Sequence, residues 1–357
     1  MADLLRIANE FDINGTAISA ESYGFGHIND TYIVVTDTGV RYILQRVNNN
    51  VFKNVEQLMG NIESVTSFLR KGINCSCECL TLVLRKNGKS FLKEDDKYYR
   101  VYNFIEDAVT YQTVSEPVHF YYSGVAFGRF QRQLAEFPAE ALFEVIPNFH
   151  NTKSRYADFE KAVEQDVCNR AASVKAEIEF AKARKSDASV LVDMLEKGEL
   201  PLRVTHNDTK LNNVMLDIKT GTPKCVIDLD TVMPGLLLYD FGDSMRFGTN
   251  PAAEDEKDIS KVYCDLNLFE QYSRGFLEEC GDMLTENEIK MLPFSAKIMT
   301  YECGIRFLTD HLNGDTYFKI HRGNHNLDRC RTQFKLVADM EQKMDKMNDI
   351  IKNIINK

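Results

Sequence analysis

The chain changes character once, near residue 105, and that change limits what it can fold into more than any other feature. Before it the pattern is mainly β. Tyr23 to Val35 and Arg41 to Val47 are rich in Ile, Val, Tyr and Thr and predict two strands, joined as a hairpin through Thr36-Asp-Thr-Gly39. Residues 1–12 predict a short helix. Residues 54–71 predict a longer one, with Leu58, Ile62, Val65 and Leu69 at spacings of three and four and Gly72 as its stop. Leu80 to Leu84 and Lys97 to Ile105 predict further strands, with Asn87-Gly88 as turn punctuation. Beyond residue 105 the periods are helical, over roughly 117–136, 155–183, 186–197, 264–281, 285–312 and 327–355, interrupted by one β element near 202–232. Leu336, Met340, Met347, Ile350, Ile351 and Ile354 form an apolar stripe on the last helix, which predicts docking onto the helical part. The expectation is an α+β fold of two lobes: an antiparallel sheet plus helix over 1–102, a hinge at 103–107, and a mainly helical lobe with an embedded hairpin over 108–357.

A chain of 357 residues, 44% hydrophobic and 27% charged, has the means to bury a sizeable core. Its net charge of −10 argues against a nucleic-acid surface, which needs a basic patch, and lends no support to binding anionic membranes. No stretch approaches the length of a membrane span, and the first residues lack the basic and apolar regions of a signal peptide. The expected setting is cytoplasmic, with reduced thiols and a monomer or homodimer. Nine cysteines are scattered except for Cys75, Cys77 and Cys79, whose period of two predicts one face of a strand; no second pair completes a zinc template.

The most specific chemistry lies in Val204-Thr-His206-Asn-Asp208-Thr-Lys210-Leu-Asn-Asn213, of the form H-x-D-x4-N. It resembles the H-R-D-x4-N loop of protein kinases, whose Asp accepts the proton of the attacking hydroxyl and whose Asn holds Mg2+. The residues after Asn213 strengthen the likeness. Val214-Met-Leu216 and Lys224-Cys-Val-Ile227 predict two strands about the turn Lys219-Thr-Gly221. A constant index sum, pairing Asp217 with Lys224, sets Asn213 opposite Asp228. Two oxygen ligands side by side suit Mg2+, which fills its octahedron with water and phosphate oxygens. Asp240-Phe-Gly242 spells the kinase D-F-G but lies too far beyond Asn213 for a tight hairpin, so Asp240 is expected to brace the loop. Lys210, two residues after Asp208, offers a cation to the phosphoryl oxygens.

At the nucleotide end, Tyr23-Gly24-Phe-Gly26-His27-Ile-Asn29 provides glycines that let backbone N–H groups approach phosphates. The strand after it ends in Gln45-Arg46, where protein kinases place a phosphate-binding Lys. Arg46 has Glu56 or Glu63 of the next helix as its expected partner. Phe104 and Ile105 stand, by position, on the segment whose backbone would hold adenine.

Together with Ile227-Asp-Leu-Asp-Thr231, Met233-Pro-Gly235, Asp240-Phe-Gly-Asp-Ser244, Arg246-Phe-Gly248, Glu302-Cys-Gly-x-Arg306-Phe-Leu308, Gly314-Asp-x-Tyr-Phe318 and His325-Asn-Leu327, these residues resemble the bacterial N-acetylhexosamine 1-kinases. Those enzymes belong to the aminoglycoside phosphotransferase-like superfamily, which has the protein-kinase-like fold. The resemblance spans nearly the whole chain and is most specific over 202–248. It implies ATP as phosphoryl donor, Mg2+, and phosphorylation of the C1 hydroxyl of N-acetylglucosamine or N-acetylgalactosamine. It implies Asp208 as catalytic base, Asn213 and Asp228 as metal ligands, and Arg306 and Tyr317 beside the sugar. Gln45 is shared with those enzymes. Two other readings stay open: a choline, homoserine or aminoglycoside kinase on the same fold, which would favour carboxylates at the acceptor site, and an inactive kinase-like binding protein, against which Asp208, Asn213 and Asp228 argue.

Overall fold

The computed structural model describes residues 2–24, 28–72 and 79–356. Gly26 and His27 of the glycine loop, and Cys75 and Cys77, lie outside the described residues. The first lobe is a six-stranded antiparallel sheet, β1 (Ala17–Ser22), β2 (Asp30–Thr36), β3 (Arg41–Val47), β4 (Leu82–Val83), β5 (Phe91–Glu94) and β6 (Lys97–Asn103), in the order β1-β2-β3-β6-β4, with β5 also on β6. The expected strand from Tyr23 to Val35 begins only at Asp30, as β2, and β1 precedes it. β1 pairs with β2 through Ser22↔Tyr32. The turn at Thr36–Gly39 is as expected: Gly39 adopts φ 81° and gives its N–H to the Thr36 carbonyl at 2.9 Å.

Helix α1 (Ala2–Ala8) covers one face of the sheet, where Ile7, Phe11, Val34, Leu44 and Val101 are buried. Helix α2 (Val55–Lys71) covers the other. Asn54 caps it by accepting from the Gln57 N–H, and Leu58, Met59, Ile62, Val65 and Leu69 face inward. Cys79 is buried with its thiol against the Leu80 carbonyl; among the described residues no cluster of three or more His, Cys, Asp or Glu is placed to hold a metal.

The second lobe is helical. Helices α3 (Pro117–Gln133), α4 (Thr152–Gln165), α5 (Lys175–Lys182), α6 (Val190–Glu196), α7 (Leu237–Gly248), α8 (Leu266–Cys280), α9 (Glu286–Leu312) and α10 (His325–Ile355) surround one large core. The expected helix over 155–183 is broken. Asp166 takes the left-handed conformation and its carboxylate accepts from the N–H groups of Arg170 and Ala171, a local alternative to the helical ladder. Helix α7 was not anticipated: ten of its twelve residues are buried, and its polar residues Asp240, Asp243 and Ser244 face the loop from His206 to Asn213 and not solvent. Helices α3 and α8 meet backbone to backbone at Gly124, Gly128 and Gly275, where any Cβ would strike the facing chain. The C-terminal stripe docks on this lobe as expected, with Leu336, Met340, Met347 and Ile351 in the core.

The β element inside this lobe holds two small sheets. β8 (Arg203–Thr205) pairs with β11 (Met233–Gly235), and β9 (Val214–Asp217) lies between β7 (Ala108–Val109) and β10 (Pro223–Val226). Among the described residues no helix is long and apolar enough to cross a membrane.

Candidate active site

The loop from His206 to Asn213 leaves β8 and is fastened by α7 behind it. Asp240, fully buried, accepts the N–H of His206 at 2.8 Å, that of Asn207 at 2.7 Å and the Gln131 amide at 2.8 Å. Burial pushes this carboxyl above its ordinary range, while His206 and the three donors oppose that. Asp243 accepts the Thr209 N–H at 3.0 Å and is paired with Arg246 at 2.8 Å. The Thr209 hydroxyl donates to the Asp240 carbonyl at 2.6 Å. The expected bracing role of Asp240 is therefore visible as hydrogen bonds, and Asp243 and Gln131 share it.

Held in this way, the loop displays Asp208 half-exposed. Its Oδ1 lies 3.1 Å from Lys210 Nζ, and its Oδ2 accepts the Asn213 amide at 3.1 Å. Asn213 also donates to the Asp208 carbonyl at 2.8 Å, so its Nδ2 is committed and its Oδ1 remains for a cation. Burial opposes the charge on Lys210, but the contact with Asp208 outweighs it and raises the ammonium pKa.

The hairpin register departs from expectation by one residue. Val226 pairs with Val214 and the Ile227 N–H reaches the Asn213 carbonyl at 2.9 Å, so Ile227, not Asp228, stands opposite Asn213. The departure begins at the turn, where the Asp217 N–H meets the Thr222 carbonyl at 2.9 Å, two residues from the expected pairing; the irregularity between Pro223 and Cys225 recovers one of the two. Asp228 follows in the left-handed conformation, φ 62°, and this turns its side chain out of the ladder. It is exposed, with Asp208, Lys210 and Arg100 near it. Desolvation by the surrounding protein, then the charges of Asp230 and Asp208, raise its pKa, against Arg100 and Lys210. A carboxylate crowded by carboxylates beside a free amide oxygen is a hard-oxygen donor set of the kind Mg2+ takes, so the residues fit that ion.

The small-lobe expectations divide. Gly24 has φ 80° with open space where a Cβ would lie. Arg46 points to the outer face, exposed, and pairs with Asp30 at 2.5 Å. Neither expected partner reaches it: Glu63 accepts from the Ser90 hydroxyl and Glu56 lies near Lys93. Strand alternation explains this, because Gln45 and Arg46 leave opposite faces of β3. Gln45 faces inward, donating to Thr31 at 3.0 Å and accepting from Arg100 at 3.0 and 2.8 Å. Arg100 in turn lies 2.6 Å from Asp230. Phe104 lies under the Arg41 guanidinium at 4.2 Å and against Tyr23; Ile105 is buried below the sheet.

Arg306 and Tyr317 come together, the guanidinium 6.0 Å from the ring centre and also facing Phe149 and Phe318. They border a cleft of about 330 Å3 that also includes Arg155 and Asn313. A buried relay connects this wall to the catalytic loop: Arg306 lies 4.0 Å from Glu302, which meets His150 at 2.8 Å, whose other ring nitrogen faces the Asn207 carbonyl at 3.2 Å. Sequence reasoning missed His150, Arg100 and Asp230. A charged residue amid the aromatic strand Tyr98-Tyr-Arg-Val-Tyr102 was the signal for Arg100.

Residues 19–274 match the model of the phosphotransferase enzyme family. The chain belongs to that family. Solved structures share the phosphotransferase fold at low identity. A microcompartment-associated aminopropanol kinase matches with TM-score 0.60 at 14% identity, over 97% of this chain and 98% of its own. An aminoglycoside phosphotransferase from Alicyclobacillus acidocaldarius matches with TM-score 0.64 at 11% identity, over 98% and 96%. The amicoumacin kinase hAmiN, solved with AMP-PNP, Ca2+ and Ami, matches with TM-score 0.60 at 13% identity, over 96% and 93%. The likeness establishes the two-lobed kinase-like α+β fold expected from the sequence.

Proposed function

We propose that this phosphotransferase is an ATP- and Mg2+-dependent kinase that phosphorylates the C1 hydroxyl of N-acetylglucosamine or N-acetylgalactosamine. The observation that carries phosphoryl transfer is Asp208, held half-exposed between Lys210 and Asn213 on a loop that α7 immobilises. Asp208 takes the proton of the acceptor hydroxyl. The acceptor oxygen bonds to the γ-phosphorus as the bond to the β–γ bridging oxygen breaks, and ADP leaves. Lys210 faces the charge that spreads over the transferring oxygens. Asn213 Oδ1 and Asp228 would hold Mg2+, which when bound neutralises phosphate charge. Gly24 and Asn29 belong to the loop over the phosphates, and the backbone at Phe104 and Ile105 to the adenine end.

The sugar reading rests on the resemblance over 202–248 and on the cleft beside Arg306. Arg155 there has its pKa lowered by burial first and by Arg306 next, so two cations lie close together on that wall. Asp310, the buried carboxylate nearby, is committed to the N–H groups of Thr316, Tyr317 and Phe318. With Arg155, Lys161 and Arg306 against Asp158 and the committed Asp310, cations outnumber free carboxylates on this lining, which suits a neutral sugar better than a cationic amino alcohol. The test is an ATP-consumption screen over N-acetylglucosamine, N-acetylgalactosamine, galactose, choline and kanamycin, followed by phosphorus NMR. The expected product is non-reducing, with phosphorus coupled to the anomeric proton. Coupling to C6 protons, or a product that still reduces copper, overturns C1 transfer; turnover of choline or kanamycin alone overturns the sugar.

A further inference from the structure

The segment after Asp228 is clamped from both lobes. From the large lobe, Asn207 donates to the Thr231 carbonyl at 2.8 Å and Thr231 Oγ1 to the His206 carbonyl at 2.7 Å. From the small lobe, Asn61 of α2 donates to the Val232 carbonyl at 2.9 Å. Asn29, at the end of the glycine loop, donates to Asp230 Oδ2 at 2.6 Å, and its own Oδ1 accepts the Asn48 N–H at 2.9 Å. Arg100 approaches Asp230 Oδ1 at 2.6 Å from β6.

Arg100 is 1% exposed and Asp230 3%. A cation so buried on a sheet needs a reason, because desolvating it is costly unless its partners are held in place. Its partners are held. Gln45 is its cross-strand neighbour in the β3–β6 ladder and accepts two of its N–H groups. Met59 of α2 lies 3.9 Å from its Nη1. In protein kinases the strand at the place of β3 carries a lysine, paired to a glutamate of the following helix, and the pair must be formed for the two lobes to be competent. Here β3 offers a neutral amide, and the cation stands one strand over, aimed at the residue two beyond Asp228.

We propose that Arg100 is the positioning residue that replaces the β3 lysine: through Asp230 it locks the small lobe and the glycine-loop end to the segment that orients Asp228. The arrangement places the pair between the phosphate end and the metal ligand, so its loss displaces Asp228 while leaving the acceptor wall intact. This inference rests on the phosphoryl-transfer reading of Asp208 and Asp228.

The test uses the full chain with Arg100→Met and the double variant Arg100→Met/Gln45→Lys, which returns a cation to β3. The expected result for Arg100→Met is a loss on the order of 10²-fold in kcat, with KM for the sugar changed by less than about threefold. The double variant is expected to regain at least about tenfold of that loss, which a merely structural role would not give. Direct titration with AMP-PNP and Mg2+ reads the same series without turnover, so an unreactive wild type that binds this pair indicts the acceptor assignment and not Arg100. Arg100→Met leaves Asp230 buried without its cation; should it not fold, Arg100→Met/Asp230→Asn removes both charges and is expected to fold with the same low kcat. Near wild-type kcat in either folded variant, or a Gln45→Lys double no better than Arg100→Met, overturns the proposal.

Discussion

His206, Asn207 and Thr209 hand their backbone N–H groups to two carboxylates of one buried helix, whereas Arg306 and Tyr317 face a cleft through aromatic faces and a 4.0 Å contact to Glu302. Tyr317 is 65% exposed, while Asp240 is wholly buried. The contrast separates two demands. A group that moves a proton must sit within a fraction of an ångström of its target, so its loop is fastened at several points to a helix that itself cannot shift. A wall that recognises a ligand gains from residues that settle around it. Substitutions in the first region should then appear in kcat or in stability, and substitutions in the second in KM.

Asp208→Asn presses hardest on that separation. Removing a positioned base costs on the order of 10²–10⁴ in rate, and kcat should fall by that much while Mg2+-dependent AMP-PNP binding persists. Steady-state kinetics with near-normal kcat would remove Asp208 from the role. Asp228→Ala should weaken that nucleotide binding on the order of 10²-fold, read by titration across Mg2+ concentrations; unchanged affinity would place the metal elsewhere. Asp240→Ala tests the fastening itself. It leaves the buried N–H groups of His206 and Asn207 without their acceptor and the Gln131 amide with only the Val204 carbonyl, at about 1–3 kcal/mol for each orphaned donor, so the urea midpoint should drop sharply. A variant of unaltered midpoint would mean that the loop is held by other contacts. The smallest effect belongs to the wall. Tyr317→Ala and Arg306→Ala should each raise KM for the sugar about tenfold with kcat within about twofold, the mark of lost uniform binding. A large fall in kcat instead would mean that the wall also orients the hydroxyl, and the two regions would no longer be separable.

Much of this arrangement was legible because local chemistry specifies it. The spacing within His206–Asn213 brings Asp208, Lys210 and Asn213 into one short loop whatever surrounds it, and their mutual contacts at 3.1 Å are those of near neighbours in sequence. Helices α2 and α10 were legible because one face of each repeats at helical spacing; α9, also expected, starts at a capping box of Thr285 and Glu288 in the structure. The strands β2 and β3 and their turn were marked by β-branched residues and Gly39.

Other features carried no local mark. Helix α7 is buried on nearly all sides, and its polar face of Asp240, Asp243 and Ser244 is spent on the catalytic loop, a partner that only the folded chain brings to it. The one-residue shift that sets Ile227 opposite Asn213 comes from a turn that closes on Thr222 instead of Lys224, partly offset by an irregularity near Pro223, and an index sum assumes a regular ladder. Arg46 looked like the cation beside Gln45, yet the pleat sends it outward to Asp30. Arg100 took its place only because β6 lies next to β3 in the folded sheet, 55 residues away in sequence from Gln45. By itself the sequence determined the reactive cluster and the division into a strand-rich and a helical lobe, since both follow from short spacings. Tertiary structure decided which cation reaches Asp230, because partners from distant segments meet only when the sheet and the 228–232 segment are assembled.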